Sequence, residues 1–596
     1  MKVLQTGGKM VRRILKSKRF LIGGAALLFV VLLYTIQGLR FDFYYDYNDD
    51  LLIHDILSGR YSGTPDGHSI QLLYPLGWVL SLFYRAIPGV PWFGLFMCFC
   101  FGVSLFAIAA RSLSICDGRV KKVILLAGEG ILVLLLMGYE LVFMQYTVVC
   151  GVLATAAGFL LYTTPGGLTA KEFLKRNVGT VLLALLAFFV RSEMFLLLSP
   201  FLAALGIFHW SREKQMWRKQ VLLRYVGVLA AVALGMAGGM LGEKLAYRSE
   251  PWKDFIYLYN AGTQLYDYKG YPTYEEAEGY YSQIGVSQMQ YQLIDNYNYS
   301  LDESIDGELL WDVARYNQEK EGILPSTWDV FRTVKNILYR LVRDVDAPHN
   351  YFVLAAYGLL IAVAIVTKDR SYLWKLPLFW LFRMIPWFYV VLADRVPKRI
   401  SHPLYYMELV VLLALTAKQL GDCKELSKKV RKGFAVGAVL VFGVLSLGSW
   451  KTSYETVKYE ALGREYNNVS WNALKEYAGE NPENYYCLDV YSTVNFKDKV
   501  FGQKEPAQKN YDILGGWMAK SPLHREGLDQ YTDWAGQPLA EALLTENFYY
   551  VTDVGRDITF LQEFYELQGK EIGLLEVARF GKDSPVLVVF KVSEQY

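Results

Sequence analysis

The chain has 596 residues, of which 53% are hydrophobic and 15% aromatic, and its formal net charge is +3. This composition is too apolar for an ordinary soluble enzyme and indicates a membrane protein. The six cysteines include no CxxC pair, so they predict neither a disulfide framework nor a zinc site of that spacing. The P-loop, GxGxxG, HExxH and GxSxG motifs are absent, which argues against a nucleotide-driven pump and the commoner hydrolases. We expect no nucleic-acid partner.

The first apolar run extends from Phe20 to Gly38 and is long enough to cross a bilayer. The residues before it are rich in Lys and Arg and contain no acid, which predicts a cytoplasmic N-terminus. The run is longer than the apolar part of a typical signal peptide, so we interpret it as an uncleaved helix. The residues that follow it then lie on the outer, extracytoplasmic side.

Further apolar runs predict about eleven spans, near 20–38, 92–110, 123–143, 146–163, 178–191, 194–210, 225–243, 350–366, 373–392, 403–417 and 433–449. A run at 70–87 could cross the membrane or lie along its outer interface, and the charges of the following loops distinguish the two. If this run lies along the outer interface instead of crossing, five Lys/Arg-rich loops face the cytoplasm, as the positive-inside rule requires. The two runs on either side of Arg191 are short, and a tight outer hairpin or a pair of half-helices would explain them.

The sequence therefore predicts a polytopic α-helical protein of the plasma membrane with its N-terminus inside and its C-terminus outside. Residues 1–450 form the transmembrane module, with a first outer loop at 39–91 and a large outer loop at 244–349. Residues 451–596 are less apolar and contain strand-like runs at 485–490, 547–554 and 585–592. We expect a small outer α/β domain there.

The first outer loop carries an acidic pair, Asp49 and Asp50, followed by His54 and then by Asp66 and His68. A helix that starts near Asp49 would place His54 on the same face as Asp50. Such carboxylates are suited to take a proton from an acceptor hydroxyl or to bind a divalent Mg or Mn ion. The alternatives are a solvated acidic loop or a helix cap formed by Asn48 or Asp49.

Two further charged groups fall on the outer side. Arg395 and Arg399 lie in a short basic loop that departs from the positive-inside trend, which favours binding of a lipid phosphate. Contact with lipid headgroups is the alternative. Arg191 and Glu193 stand at the ends of spans and indicate a polar cavity, unless they are only an interfacial pair.

Aromatic residues are concentrated at 257–274, in the large outer loop, around Asp267. Tyrosine and tryptophan faces suit sugar rings, although aromatics are also common at membrane interfaces. In the C-terminal part, GGWMAKSP at 515–522 is typical of a loop, and we expect it to help present an acceptor.

This layout resembles the GT-C superfamily of membrane glycosyltransferases, which includes protein O-mannosyltransferases, aminoarabinose transferases and oligosaccharyltransferases. The resemblance depends on the cytoplasmic N-terminus, the Asp49-Asp50 pair in the first outer loop, the 70–87 segment, the many spans and the outer C-terminal domain. The stretch NDDLLIHDILSGRYSGTPDGH, followed by PGVPWFG, also resembles a family of uncharacterised bacterial membrane proteins.

The resemblance implies an enzyme that transfers a sugar from a polyprenyl-(pyro)phosphate carrier to a hydroxyl of a glycan, lipid or protein. It implies that Asp49 or Asp50 acts as base or metal ligand, and that Arg395 and Arg399 hold the lipid phosphate. His54, Asp66, His68, Arg191 and Glu193 are further candidates for binding the substrate. A surface-glycan polymerase or ligase, a lipid or glycan transporter, and a non-catalytic assembly protein remain the alternatives.

Overall fold

The computed structural model describes residues 18–320, 325–502, 508–531, 537–582 and 585–595. Most of the basic segment that precedes the first span lies outside the described residues. The transmembrane module begins, in chain order, with α1 (Lys18–Gly38), β1 (Tyr44–Tyr45), α2 (Asn48–Ser58), α3 (Tyr74–Ala86), α4 (Trp92–Ile115), α5 (Arg119–Leu136), α6 (Gly138–Val142), β2 (Phe143–Met144), α7 (Tyr146–Tyr162), α8 (Ala170–Arg176), α9 (Val178–Val190), α10 (Ser192–Trp210) and α11 (Lys219–Ala246).

The remainder of the chain contains further helices and a sheet. They are α12 (Glu250–Gly262), a π-helix (Thr263–Lys269), α13 (Glu278–Gln283), α14 (Gln288–Asp295), α15 (Gly307–Lys320), α16 (Thr327–Val342), α17 (His349–Thr367), α18 (Tyr372–Leu392), α19 (Lys398–Asp422), α20 (Lys428–Glu480), β3 (Tyr485–Leu488), β4 (Tyr511–Ile513), α21 (Pro522–Asp529), α22 (Leu539–Leu543), β5 (Phe548–Asp553), α23 (Thr559–Glu566), β6 (Ile572–Phe580) and β7 (Leu587–Glu594). Short 3₁₀ turns lie at Tyr299–Leu301 and Asp344–Asp346.

The protein is a multi-pass membrane protein. Among the described residues, eight helices are long and apolar enough to cross a bilayer, namely α1, α4, α10, α11, α17, α18, α19 and α20. The pair α8 and α9, bent by 50°, would make a ninth if it is one span. The predicted count of about eleven is therefore too high by this measure: α5 carries several charges, and α7 is an apolar helix of only 17 residues. The predicted inside and outside faces stay predictions.

Two predictions about the joints between helices agree with the structure. The helix α3 has 13 residues, too few to cross a bilayer, and it exposes Trp78 and Phe83. The break between the two short apolar runs falls at Arg191, whose extended backbone separates α9 from α10.

The predicted loop at 244–349 is mostly helical and packs on the C-terminal domain. Leu265, Leu293 and Leu310 from this segment share one buried core with Tyr550 and Phe564 of the C-terminal part. Burying this apolar surface against the sheet domain stabilises both parts, so the segment is a layer of the fold and not a mobile excursion.

The C-terminal domain contains a five-stranded mixed sheet in the order β4-β3-β5-β7-β6. The strands β4, β3 and β5 are parallel, whereas β7 pairs antiparallel with both β5 and β6. The three predicted strands are present, and β4 and β6 are additional. The predicted boundary at 450/451 falls inside α20, which is continuous over 53 residues from its apolar part into this domain.

The segment 39–91, the predicted first outer loop, lies between the transmembrane helices and the C-terminal domain. Its strand β1 pairs in parallel with β2, which directly precedes α7. On the other side, the amide of Tyr45 donates to the carbonyl of Asp498 over 3.1 Å, and Val500 donates to Phe43 over 2.8 Å. Backbone hydrogen bonds therefore fix the loop from both sides immediately before α2.

Candidate functional site

Asp50 is a buried structural carboxylate that joins two helix N-termini. Its Oδ2 accepts the backbone N–H of Tyr47 over 3.2 Å, and its Oδ1 accepts the N–H of Tyr146, the first residue of α7, over 2.9 Å. Burial raises the pKa of Asp50 well above its usual range, and the nearby charge of Asp49 acts in the same direction. The predicted repulsion within the pair is thus present, but burial is the larger cause.

Asp49 points to a different environment, although it is the next residue. Its carboxylate is 19% exposed and lies 3.7 Å from Nη1 of Arg399, at the start of α19. The guanidinium of Arg399 lies over the ring of Tyr47, 4.5 Å from its centroid. Asp49 is therefore a partly exposed acid beside an arginine that a ring face holds in position.

Arg395 lies in the short loop before α19 and contacts the aromatic segment at 257–274. It forms an ion pair of 2.8 Å with Asp267, and its guanidinium lies 5.3 Å from the ring centroid of Tyr268. Burial raises the pKa of Asp267, while Arg395, and to a lesser degree Arg399, oppose the rise. The charge of Asp49 also acts on Asp267, so this pair adjoins the Asp49–Arg399 pair.

Arg191 completes this cluster from the junction of α9 and α10. It pairs with Glu193 over 3.0 Å, and its guanidinium lies 5.5 Å from the ring centroid of Tyr146. Asp49 is among the charges that act on it. We call Asp49, Arg191, Arg395 and Arg399 the arginine site. Glu193, whose side chain is 69% exposed, lies at its edge.

His54 packs inside the first outer loop. It is buried, with its ring 5.4 Å from that of Tyr45 and 5.9 Å from that of Tyr84. Burial lowers its pKa to about 4, so the ring is neutral at physiological pH. Like Asp50, it lies on the buried face of α2, as the helical spacing predicts, but this face is turned to the core.

Asp66 and His68 form a separate packing unit against α11 and α12. The Nδ1 of His68 lies 2.6 Å from Oδ1 of Asp66, and the His68 ring stacks on Trp252 with centroids 4.5 Å apart. Tyr74 and Tyr247 also contact this ring. These contacts account for both residues through packing of the loop.

One residue near the arginine site has no signal in the sequence. Lys497, from the C-terminal domain, donates to Oδ1 of Asn48 over 2.7 Å. Burial and the charge of Arg464 lower the pKa of Lys497 to about 8, although Asp46, Asp49 and Asp50 act against this shift. It lies 449 residues after Asn48, and no motif surrounds it in the sequence. Only the three-dimensional structure brings it to Asn48, the residue before Asp49.

The residues present are a poor match to a divalent metal site. Both oxygens of Asp50 already accept backbone hydrogen bonds, which leaves Asp49 as the available carboxylate of the pair. Within the described ranges, no group of three or more His, Cys, Asp or Glu side chains is arranged to hold a metal ion. The chemistry proposed below therefore has no metal step, and the predicted Mg or Mn ion stays a prediction.

No protein-family model and no curated protein matches the chain. In three dimensions it is similar to the crystal structure of ArnT from Cupriavidus metallidurans bound to undecaprenyl phosphate, with a TM-score of 0.38 and 10% sequence identity. The match covers 95% of this chain and 98% of that chain. ArnT is of the GT-C class that the sequence resembles. A TM-score of this size does not assign an activity, so the proposal below depends on this chain's own residues.

Proposed function

We propose that this protein is a glycosyltransferase that moves a sugar from a polyprenyl-phosphate or pyrophosphate carrier to an acceptor hydroxyl on the outer face of the plasma membrane. One observation carries the proposal: Asp49 lies 3.7 Å from Arg399, and Arg191 and the Arg395–Asp267 pair are close enough for their charges to interact with that of Asp49. A partly exposed base surrounded by arginines suits an acceptor hydroxyl beside a leaving phosphate.

The arginines would hold the lipid phosphate. Guanidinium groups bind phosphate oxygens through paired, charge-assisted hydrogen bonds. Arg399 lies in the first turn of α19, and Arg191 lies between two apolar helices. Both side chains are therefore at the ends of apolar helices. A polyprenyl phosphate can then keep its tail in the bilayer while its headgroup reaches these side chains. The undecaprenyl phosphate bound to ArnT is a ligand of this chemistry.

Asp49 would act as the general base. It takes the proton of the acceptor hydroxyl as the oxygen attacks the anomeric carbon of the sugar. A new glycosidic C–O bond forms, and the C–O bond to the phosphate breaks with its electron pair on the phosphate. The arginines, with Lys497 nearby, stabilise the charge that develops there, so little acid catalysis is needed.

The test is sugar transfer by the purified protein in liposomes, from a panel of polyprenyl-phosphate sugars. Asp49→Asn should lower transfer at least about 100-fold, because general-base catalysis typically contributes 10²–10⁴-fold. The matched control is Asp42→Asn, which removes an exposed acid of the same loop that pairs with Lys499. It should stay within about twofold of the parent. An arm with EDTA tests the predicted metal.

A parallel measurement separates binding from chemistry. Arg399→Gln and Arg395→Gln should each weaken undecaprenyl phosphate binding by at least about tenfold, since hydrogen bonds to charged groups contribute about 1.5–3 kcal/mol. Arg315→Gln, which removes an exposed arginine paired with Asp312, is the control. Full transfer by Asp49→Asn would remove Asp49 from the mechanism. Absence of transfer from every donor would favour a polymerase, ligase or transporter.

A further inference from the structure

Three aromatic side chains from three separate segments meet beside the arginine site. Tyr259 belongs to α12, Tyr297 follows α14, and Trp517 lies in the GGWMAKSP loop. The Trp517 ring centroid is 5.7 Å from that of Tyr259 and 6.1 Å from that of Tyr297. All three residues are half-buried. We call Tyr259, Tyr297 and Trp517 the aromatic platform.

The platform adjoins the reacting groups. The ring centroid of Tyr297 lies 4.0 Å from that of Tyr266, the residue before Asp267, and Asp267 pairs with Arg395. In agreement with this contact, the charge of Asp49 acts on both Tyr259 and Tyr297. Arg191 also acts on Tyr259, and Asp267 acts on Tyr297. A molecule that lies on these rings would therefore be within reach of the groups that hold phosphate and accept a proton.

The backbone at Tyr297 is held in an unfavourable conformation. Its φ of +63° falls in the left-handed region, which is unfavourable for a tyrosine. Its carbonyl oxygen packs so closely on Gly515 that any Cβ at that position would overlap it. The next residue, Asn298, donates to Asp489 over 2.8 Å and accepts from the amide of Val490 over 3.1 Å. Contacts with the C-terminal domain thus fix Tyr297 where it contacts Trp517.

We infer that the aromatic platform binds a pyranose ring of the substrate. Aromatic faces are electron-rich and match the apolar C–H face of a sugar, while charged neighbours can bind its hydroxyls. Tyr259 and Tyr297 pack at the edges of two buried cores without being fully buried themselves, and a pocket for an acyl chain would not have charged groups such as Asp267 beside it. The inference rests on the proposed function. The ring is either the sugar carried by the lipid or a residue of a glycan acceptor, and both present the same chemistry.

The experiment is equilibrium binding to the full chain in nanodiscs, which requires no turnover. The probes are bare undecaprenyl phosphate, undecaprenyl-phosphate glucose and mannose, and free malto-, cello- and chitotetraose. Trp517→Ala should weaken binding of at least one sugar-bearing probe tenfold or more, and Trp517→Phe should restore it to within threefold. Binding of bare undecaprenyl phosphate should change less than twofold. Loss with the lipid-linked sugars identifies the donor sugar, and loss with a free tetraose identifies the acceptor.

Two variants complete the design. Gly515→Ala leaves Trp517 in place but displaces Tyr297, so it should also weaken sugar binding, with the melting temperature as a check of folding. Trp328→Ala removes an exposed tryptophan of α16 and should change nothing. The inference is overturned if no sugar-bearing probe binds, if Trp517→Ala binds them all normally, or if it weakens bare undecaprenyl phosphate equally. Sugar binding that depends on Trp517 without any transfer would count against the proposed function alone.

Discussion

Arg464 and Asp46 form a buried ion pair that joins the long helix α20 to the first outer loop. The Nη2 of Arg464 lies 2.5 Å from Oδ1 of Asp46, and its Nη1 donates to the carbonyl of Tyr45 over 3.1 Å. Its guanidinium also lies 4.0 Å from the ring centroid of Phe143 in β2. One side chain of α20 therefore fixes the pair of strands β1 and β2, of which β1 directly precedes α2 and Asp49.

Removing this arginine should both destabilise the protein and reduce transfer. Arg464→Met leaves Asp46 buried without its partner, which typically costs about 3–5 kcal/mol. Unfolding in detergent measures the loss, and the liposome assay measures transfer per folded molecule. Arg579→Met, at an exposed pair with Glu576, is the control. The double variant Asp46→Leu/Arg464→Met should recover part of the stability. A single variant as stable as the control would contradict this role.

The rate of transfer should fall as pH rises through about 8, because Lys497 has its pKa lowered to about 8 and loses its charge there. The contribution of Lys497 to the free energy of unfolding changes in the opposite direction as pH rises. Between pH 8 and 10.5, the unfolded lysine binds more protons than the folded one, so this residue adds stability as pH rises. The titration of Lys497 therefore does not itself destabilise the fold at high pH, and measuring the rate per folded molecule separates the expected decline from unfolding caused by other groups.

A pH–rate profile of Lys497→Arg provides the check. Arginine keeps its charge over this range, so the fall should shift to higher pH. Lys253→Arg, at an exposed lysine of α12, should keep the parent profile. An unchanged profile in Lys497→Arg would show that another group controls the decline.

Asp66 and His68 should affect folding and leave the chemistry unchanged. His68→Ala removes a ring that stacks on Trp252 and should lower stability by about 1–3 kcal/mol. His68→Phe keeps the stacking and loses the contact with Asp66, so it should recover most of that loss. The turnover number per folded molecule should stay within twofold for both variants. A large loss of turnover in His68→Phe would restore these residues to the site.

Arg383 of α18 and Glu408 of α19 form an ion pair inside the bundle of spans. We expect this pair to hold the two helices together. Nε of Arg383 lies 2.7 Å from Oε1 of Glu408, both side chains are fully buried, and Tyr357 donates to the same oxygen over 2.7 Å. We expect Arg383→Met to cost about 3–5 kcal/mol, and Arg383→Met/Glu408→Leu to be near the parent stability. If the double variant is stable but inactive in transfer, the pair has a direct part in function.

The sequence predicts the arginine site because its signals are local. Arg395 and Arg399 depart from the positive-inside trend, Arg191 interrupts two apolar runs, and Asp49 follows the first span. Each of these can be read within about 20 residues. That their side chains come together depends on the packing of α2, α10 and α19, which hydropathy does not encode.

Other parts of the site could not be predicted for physical reasons. Spacing places Asp50 and His54 on one face of α2, but it does not indicate that this face is buried. The position of Lys497 beside Asn48 depends on a contact between residues 449 positions apart. The predicted count of spans exceeds the number of candidate helices for a related reason: an apolar run predicts burial, and α7, most of whose residues are buried, can obtain that burial from neighbouring helices.

The continuity of α20 has a consequence for how a catalytic cycle can proceed. At about 1.5 Å per residue, its 53 residues form a rod about 80 Å long that begins among the membrane helices and ends against the sheet. This helix has no break between its apolar part and the sheet domain, so a hinge-like opening of the domain would require the helix itself to bend. For the proposed transfer we therefore expect the carrier lipid to reach the arginine site by lateral diffusion, without a large movement of the sheet domain.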